Sequence, residues 1–262
     1  MTPNVEYERF PIMDTAIANV SMAETLDIID AFVAEGSPHV VVTANVDHLM
    51  LLRKDASFRR VYRRAELVTC DSVPLKWGLA FLGTPVKERV AGADLFPAVA
   101  ARAARVGHRL FYLGAAPGVA AKAAEVLSHR HPGLEVVGTY APPVMPWVEL
   151  AEDEETLARI REAMPDILFV AFGAPKQEFW LDAVRERLRV PVGIGVGAAF
   201  DFVAGTVKRA PRWMQKAGLE WLFRLSQEPR RLWRRYLFVD SRFACYILRE
   251  KFRDRKAAVP PK

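Results

Sequence analysis

Short apolar runs alternate with helix-length segments from residue 39 to residue 196, and this alternation constrains the fold more than any other feature of the chain. It is clearest in RLFYLGAAPGVAAKAAEVLSHRHPGLEVVGTY, residues 109–140, which reads as strand, Gly turn, Ala-rich helix and strand. The hydrophobic period switches from two to 3.6 and back, as a βαβ unit requires. Further strands are expected over residues 39–43, 65–70, 166–172 and 191–196, with helices over 21–35, 47–64, 75–82, 95–105, 154–163 and 176–187. The Pro-rich, then acidic stretch 141–153 reads as a loop. Strands interleaved with helices predict an α/β fold, a Rossmann-like, mainly parallel, doubly wound sheet covered on both faces.

The last segment differs in character. Residues 206–262 hold 16 Lys and Arg against 5 Asp and Glu, a net charge of +11, whereas the preceding 205 residues carry −5. The expected organisation is therefore a core over residues 1–205 and a basic helical appendage over 206–262. On a helix running on from Arg230, Arg231, Arg235, Arg242, Arg249 and Arg253 fall within roughly 40° of one another. Trp233, Tyr236, Phe243 and Ile247 lie on the opposite side. Such a helix suits an anionic membrane surface, and it equally suits docking on the body with solvated arginines. The N-terminus lacks a signal-peptide pattern, and no apolar run approaches the roughly 18 residues of a spanning helix. The expectation is a cytoplasmic protein. Cys70 and Cys245 show no metal or redox spacing and read as small apolar residues.

In an open parallel sheet, ligands bind beyond the carboxyl ends of the strands. Several turns here place polar or small residues at those ends, and each has a structural alternative. Thr43 and Asn45 fit a helix cap as well as a pocket wall, and Asp47 reads as a helix cap. Asp71 fits a cap on the helix after Pro74, or a general base. The turn at Gly114 fits a phosphate at a helix N-terminus, or tight packing. The turn at Gly173 has the same form, with Lys176 and Gln177 in the first helical turn. A lysine there opposes the helix dipole, which favours an anion-binding role. Asp201 follows the small residues 195–199. The five histidines share no ligand spacing and read mostly as surface or capping groups, and no D-x-D pair is present to hold a metal–diphosphate. A metal-independent chemistry without a cofactor follows as the expectation.

Seven stretches occur together and in order: TANVDHL, CDSVPLKW, ERVAGADL, FYLGAAPGVA, FGAPKQEFW, GVGAAFDFVAG and APRWMQKAGLEWLFRLSQEPRRLWRRY. With them the chain resembles the WecG/TagA/CpsF glycosyltransferases of bacterial envelope polysaccharide synthesis (glycosyltransferase family 26, GT-E type), over roughly residues 38–238. The resemblance implies metal-independent, inverting transfer of a sugar from a UDP-sugar to a polyprenyl-diphosphate-linked saccharide. N-acetylmannosamine or its uronic acid is the donor sugar it suggests. It also implies work at the cytoplasmic face of the inner membrane. By the family's motifs, Asp71 matches the general base, Thr43 and Asn45 line its pocket, and Arg89 is a pocket cation. Gln177 and Asp201 match donor-side positions, while Arg224, Arg231 and Arg234 match active-site arginines of the appendage. Ser72 stands where many members have glycine, and His48 falls in a variable position, which bears on sugar identity. The expected partners are the UDP-sugar, the lipid-linked acceptor and an anionic membrane surface, with no nucleic acid; a homo-oligomer stays open. Two rival readings exist: a nucleotide-sugar epimerase or dehydrogenase, which would need a dinucleotide fingerprint, and a basic anion-binding module.

Overall fold

Beta-branched and aromatic runs form the strands, and capped amphipathic segments form the helices between them. The computed structural model describes residues 6–227, 229–234 and 241–257. The chain opens with a hairpin of β1 (Arg9–Ile12) and β2 (Thr15–Ala18), then α1 (Met22–Glu35), β3 (His39–Ala44), α2 (Val46–Leu52), α3 (Ala56–Arg64) and β4 (Leu67–Cys70). There follow α4 (Val73–Leu82), α5 (Gly92–Val106), β5 (Arg109–Gly114), α6 (Val119–Arg130) and β6 (Glu135–Tyr140). Next come α7 (Trp147–Ala151), α8 (Glu154–Ala163), β7 (Ile167–Ala171), α9 (Lys176–Leu188), β8 (Val192–Gly195) and α10 (Ala199–Ala204). The basic segment holds α11 (Arg212–Lys216), α12 (Glu220–Gln227), α13 (Pro229–Arg234) and α14 (Ser241–Ala257).

Six strands form one sheet in the order β4-β3-β8-β7-β5-β6, and every pairing is parallel. Alternate strand residues feed two separate cores, because successive side chains point to opposite faces. Val40, Val42, Leu168 and Val170 enter one core, covered by α2, α3, α4, α7, α8, α9 and α14. Val41, Ile167, Phe169 and Ile194 enter the other, covered by α1, α5, α6 and α10. This is the doubly wound arrangement the alternation predicts.

Several expectations needed correction. The single helix over 47–64 is two, because the Asp55 carboxylate accepts from the backbone N–H of Ser57 and Phe58 and starts α3 afresh. The loop over 141–153 contains α7, whose Trp147 stacks on Phe179 at 5.1 Å between ring centroids. The β1–β2 hairpin was not anticipated; its turn includes Met13 at a φ of 54°, which no glycine announces. Cys70 is buried, but Cys245 is exposed on α14 rather than packed as a small apolar residue. His39 and His48 are buried rather than on the surface.

The helix expected to run on from Arg230 is described as α13 and α14, and residues 235–240, including Arg235 and Tyr236, lie outside the described residues. The docked alternative holds for α14. Phe243 and Ile247 are buried in the same core as α4, while Arg242 and Arg249 are exposed. The close approach depends on Gly78. A Cβ there would stand 3.0 Å from Phe243 Cζ and 3.4 Å from Ile247 Cδ1. Gly78→Leu should therefore overpack the α4–α14 seam and cost about 1–3 kcal/mol. Urea unfolding, together with faster proteolysis within α14, would register the loss; unchanged values on both would mean that α14 is not held by this seam.

Candidate active site

Because the sheet is parallel, all six strands end on the same edge. The order reverses beside β3, whose chain leaves towards β4 while its other neighbour, β8, is reached last. A crevice forms at such a switch point. A cavity of about 580 Å³ lies there, lined by the ends of β3, β4, β7 and β8, by the segment before α5, and by the basic appendage.

Each strand contributes a distinct group. From β3 come Thr43, whose hydroxyl donates to the Gly195 carbonyl oxygen at 3.2 Å, and Asn45. Asn45 caps α2 by accepting from the His48 N–H at 3.2 Å and lines the cavity as well, so the two readings of this residue are both true. Asp47 does not act as the cap; it sits in the first turn of α2 and lines the cavity. From β4 comes Asp71, held by its backbone N–H donating to Ala44 O at 2.8 Å. Asp71 is not a helix cap either, since Ser72 occupies the N-cap of α4 and gives no side-chain bond. The Ser72 hydroxyl is buried without a partner among the described residues.

Around Asp71 stands a charged cluster. Arg89 donates through Nη1 to the Asp71 carbonyl oxygen at 3.1 Å, and through Nη2 to Asp94 Oδ2 at 2.9 Å. Arg209 meets the same Asp94 with both terminal nitrogens, at 2.6 and 3.0 Å, and reaches Glu220 through Nε at 3.2 Å. This bidentate pair joins α5 to the start of the basic appendage. Burial opposes the Asp94 charge, yet Arg209 and Arg89 hold its carboxyl below the usual range. Asp71 goes the other way. Withdrawal from water pushes its pKa up to about 7, against the pull of Arg89, with the Glu220 and Asp94 charges adding to the rise and Arg224 opposing it. A carboxylate poised near 7 is suited to take a proton at neutral pH.

Arg224 is half-buried in the cavity wall and makes no hydrogen bond or ion pair among the described residues. It can meet an incoming anion without surrendering a partner. The helices α4, α5 and α9 also begin at the cavity, and none carries a side-chain cap. Their first-turn N–H groups add positive potential there.

The structure separates some residues that the sequence grouped. Gly173 and Gln177 line the cavity, but Lys176 is exposed and outside its lining. Gly114 lies at the end of β5, away from the cavity. A Cβ on it would stand 2.8 Å from the Phe172 ring and 2.9 Å from the Ala171 carbonyl oxygen, so its glycine serves close packing and a φ of 101°. Asp201 is also outside the lining and accepts from the Thr206 hydroxyl at 3.0 Å. The side chains of Arg231 and Arg234 lie outside the described residues. Sequence reasoning missed Asp94, Arg209, Glu220, Trp221 and Phe243 in the cavity region. Asp94 lies in the stretch ERVAGADL and Glu220 and Trp221 in the last of the seven stretches, but the motifs assigned them no role; Arg209 and Phe243 entered only through the charge and aromatic pattern of the tail.

The chain is 31% identical over 211 residues to an N-acetylglucosaminyldiphosphoundecaprenol N-acetyl-beta-D-mannosaminyltransferase of Bacillus spizizenii, covering 80% of this chain and 79% of the relative. Proteins of the same description from Bacillus subtilis and Staphylococcus aureus are 29% and 27% identical, over 84% and 85% of this chain and 83% and 86% of theirs. The family described as Glycosyl transferase WecG/TagA/CpsF matches residues 10–257. With that match over most of its length, the chain belongs to the WecG/TagA/CpsF glycosyltransferase family.

Proposed function

We propose that this glycosyltransferase moves a sugar of the N-acetylmannosamine class from a UDP-sugar to a polyprenyl-diphosphate-linked saccharide, with inversion and without a metal ion. The observation that carries the reading is Asp71, a carboxylate poised near neutrality at the wall of a cavity that also holds Arg224. The acceptor hydroxyl attacks the anomeric carbon as Asp71 takes its proton. The bond to the UDP oxygen breaks on the opposite face, and the electron pair leaves with the diphosphate. Arg224 and the uncapped starts of α5 and α9 are placed to meet that negative charge, with Arg89 held beside Asp71. The relatives named above support the donor sugar and the lipid-linked acceptor as classes.

A lipid-linked acceptor calls for contact with a membrane, here the cytoplasmic face of the inner membrane. No helix among the described residues is long and apolar enough to cross one. Exposed aromatic side chains on α4, α11, α12 and α14 support surface contact instead: Trp77, Phe81, Trp213, Trp221 and Phe252. Trp213, Trp221 and Phe252 belong to the basic segment, Trp77 lies against its Gly218, and Lys251 Nζ stands 5.7 Å from the Phe81 ring centroid, a combination suited to an anionic interface. The double variant Trp77→Ser/Trp213→Ser should bind anionic liposomes at least tenfold more weakly in flotation assays. Undiminished flotation would remove this face from the reading.

Asp71→Asn should lower transfer by at least about 10²-fold while UDP-sugar binding, followed by calorimetry, persists. Wild-type turnover by this variant would exclude Asp71 as the base. The same residue makes a stability prediction. Its folded-state pKa is raised, so between about pH 4 and pH 7 the unfolded chain releases a proton that the folded chain keeps. Stability contributed in this way is present below the ordinary carboxylate pKa and is lost as pH rises through about 7. Asp71→Asn should flatten that part of the curve and raise Tm at pH 8 by a few degrees in thermal scans across pH.

A further inference from the structure

Behind the cavity floor runs a buried polar chain that the transfer step as described does not use. Gln177 is buried, and its Oε1 accepts from two backbone N–H groups, Gly173 at 3.2 Å and Gly197 at 3.1 Å. Those glycines belong to the β7–α9 and β8–α10 turns, and both line the cavity. One side-chain oxygen thus ties two walls of the site together. Gly195 leaves the room it needs, since a Cβ there would stand 2.7 Å from Gln177 Nε2.

The orientation of that amide is not free. Two N–H donors face one end, so the other end must be the NH₂ group, and it donates to Glu178 Oε1 at 2.8 Å. Glu178 is 1% exposed, and its Oε2 has no hydrogen-bond partner among the described residues. The titratable groups that face it are His48 from α2, with Nε2 at 3.9 Å from Oε1, and Tyr62 from α3, whose hydroxyl lies 2.6 Å from His48 Nδ1. A carboxyl in such a place is costly unless it serves the structure around it.

We propose that Glu178 is a positioning residue of the transferase site: by accepting from the Gln177 amide, it holds the side chain that binds the two glycine turns to each other across the cavity floor. The proposal rests on the transferase reading for its effect on turnover, though not for its effect on the turns. Since Oε1 accepts from Gln177, the proton of the neutral acid belongs on Oε2. Burial pushes the Glu178 pKa up to about 7, offset in part by the Gln177 bond, so the neutral form prevails on the acid side of neutrality. Rising pH ionises the Glu178 carboxyl, and a carboxylate accepts from the amide more strongly than the neutral acid does, so the bond that holds Gln177 tightens as Asp71 becomes competent. Turnover should rise through about pH 7 and level off above it, with both carboxyl groups contributing to the acid limb.

The test compares the full-length wild type with Glu178→Gln, which keeps the accepting oxygen, and Glu178→Leu, which removes it. Amide hydrogen exchange at Gly173 and Gly197, measured without substrate at pH 6, should be at least tenfold faster in Glu178→Leu and unchanged in Glu178→Gln. In kcat/KM profiles with UDP-N-acetylmannosamine and a short-chain lipid-diphosphate N-acetylglucosamine acceptor, Glu178→Gln should make the acid limb shallower, one ionisation remaining in place of two. Equal exchange in all three proteins, or an acid limb of unaltered slope in Glu178→Gln, would overturn the proposal. If Glu178→Leu does not fold, the profile of Glu178→Gln decides alone. A wild type that transfers no sugar would sink the transferase reading and leave the exchange comparison to decide the role of Glu178.

Discussion

The parallel pairing of β3 with β4 on one side and β8 on the other is the constraint on which this site depends. It brings the ends of strands that are distant in sequence to one edge of the sheet. Thr43 and Gly195 are 152 residues apart, yet the hydroxyl of one donates to the carbonyl of the other. All six residues of β3 are buried, so a slip in its register would turn Val41 and Val42 towards the wrong cores. The register that the cores enforce is also the one that places Asn45 and Asp71 beside each other.

The second constraint is electrostatic. Asp94 carries two arginines, one from the body and one from the start of the appendage, and Glu220 sits against both. The cluster does two things at once. It fixes the appendage across the mouth of the site, and it surrounds Asp71 with charges of both signs, so that withdrawal from water is left to decide its proton affinity. Asp71 and Glu178 are both raised to about 7 by burial, but they face different surroundings. One opens on the cavity among arginines; the other lies behind it against an amide and a histidine. Two carboxyl groups of like affinity can therefore serve different roles, one facing substrate and the other holding the floor beneath it.

Much of the fold was legible in the order of residues. The continuous apolar runs at residues 39–44 and 167–171 and the helical spacing of residues 21–35 mark elements by local chemistry alone. The motif residues Thr43, Asn45, Asp71, Arg89, Gly173, Gln177 and Arg224 were also named from sequence, and the structure gathers them around one cavity. Gly114 was grouped with them wrongly because its turn has the same form as the one at Gly173. A turn's sequence reports a helix start; it does not report which strand neighbours lie beside it.

What the sequence determined by itself is the alternation of strands and helices, the polar residues at strand ends and the basic character of the tail, since each follows from local periodicity or composition. The tertiary structure alone decided which strand ends meet, that Arg209 rather than Arg89 alone secures Asp94, and that Gln177 spends its carbonyl on two turns. It also decided that α14 docks through Phe243 and Ile247 on the space left by Gly78. The physical reason is the same in each case. Hydrogen bonds, ion pairs and packing act over a few ångströms in space, and in these pairs the partners stand from 4 to 169 residues apart in the chain.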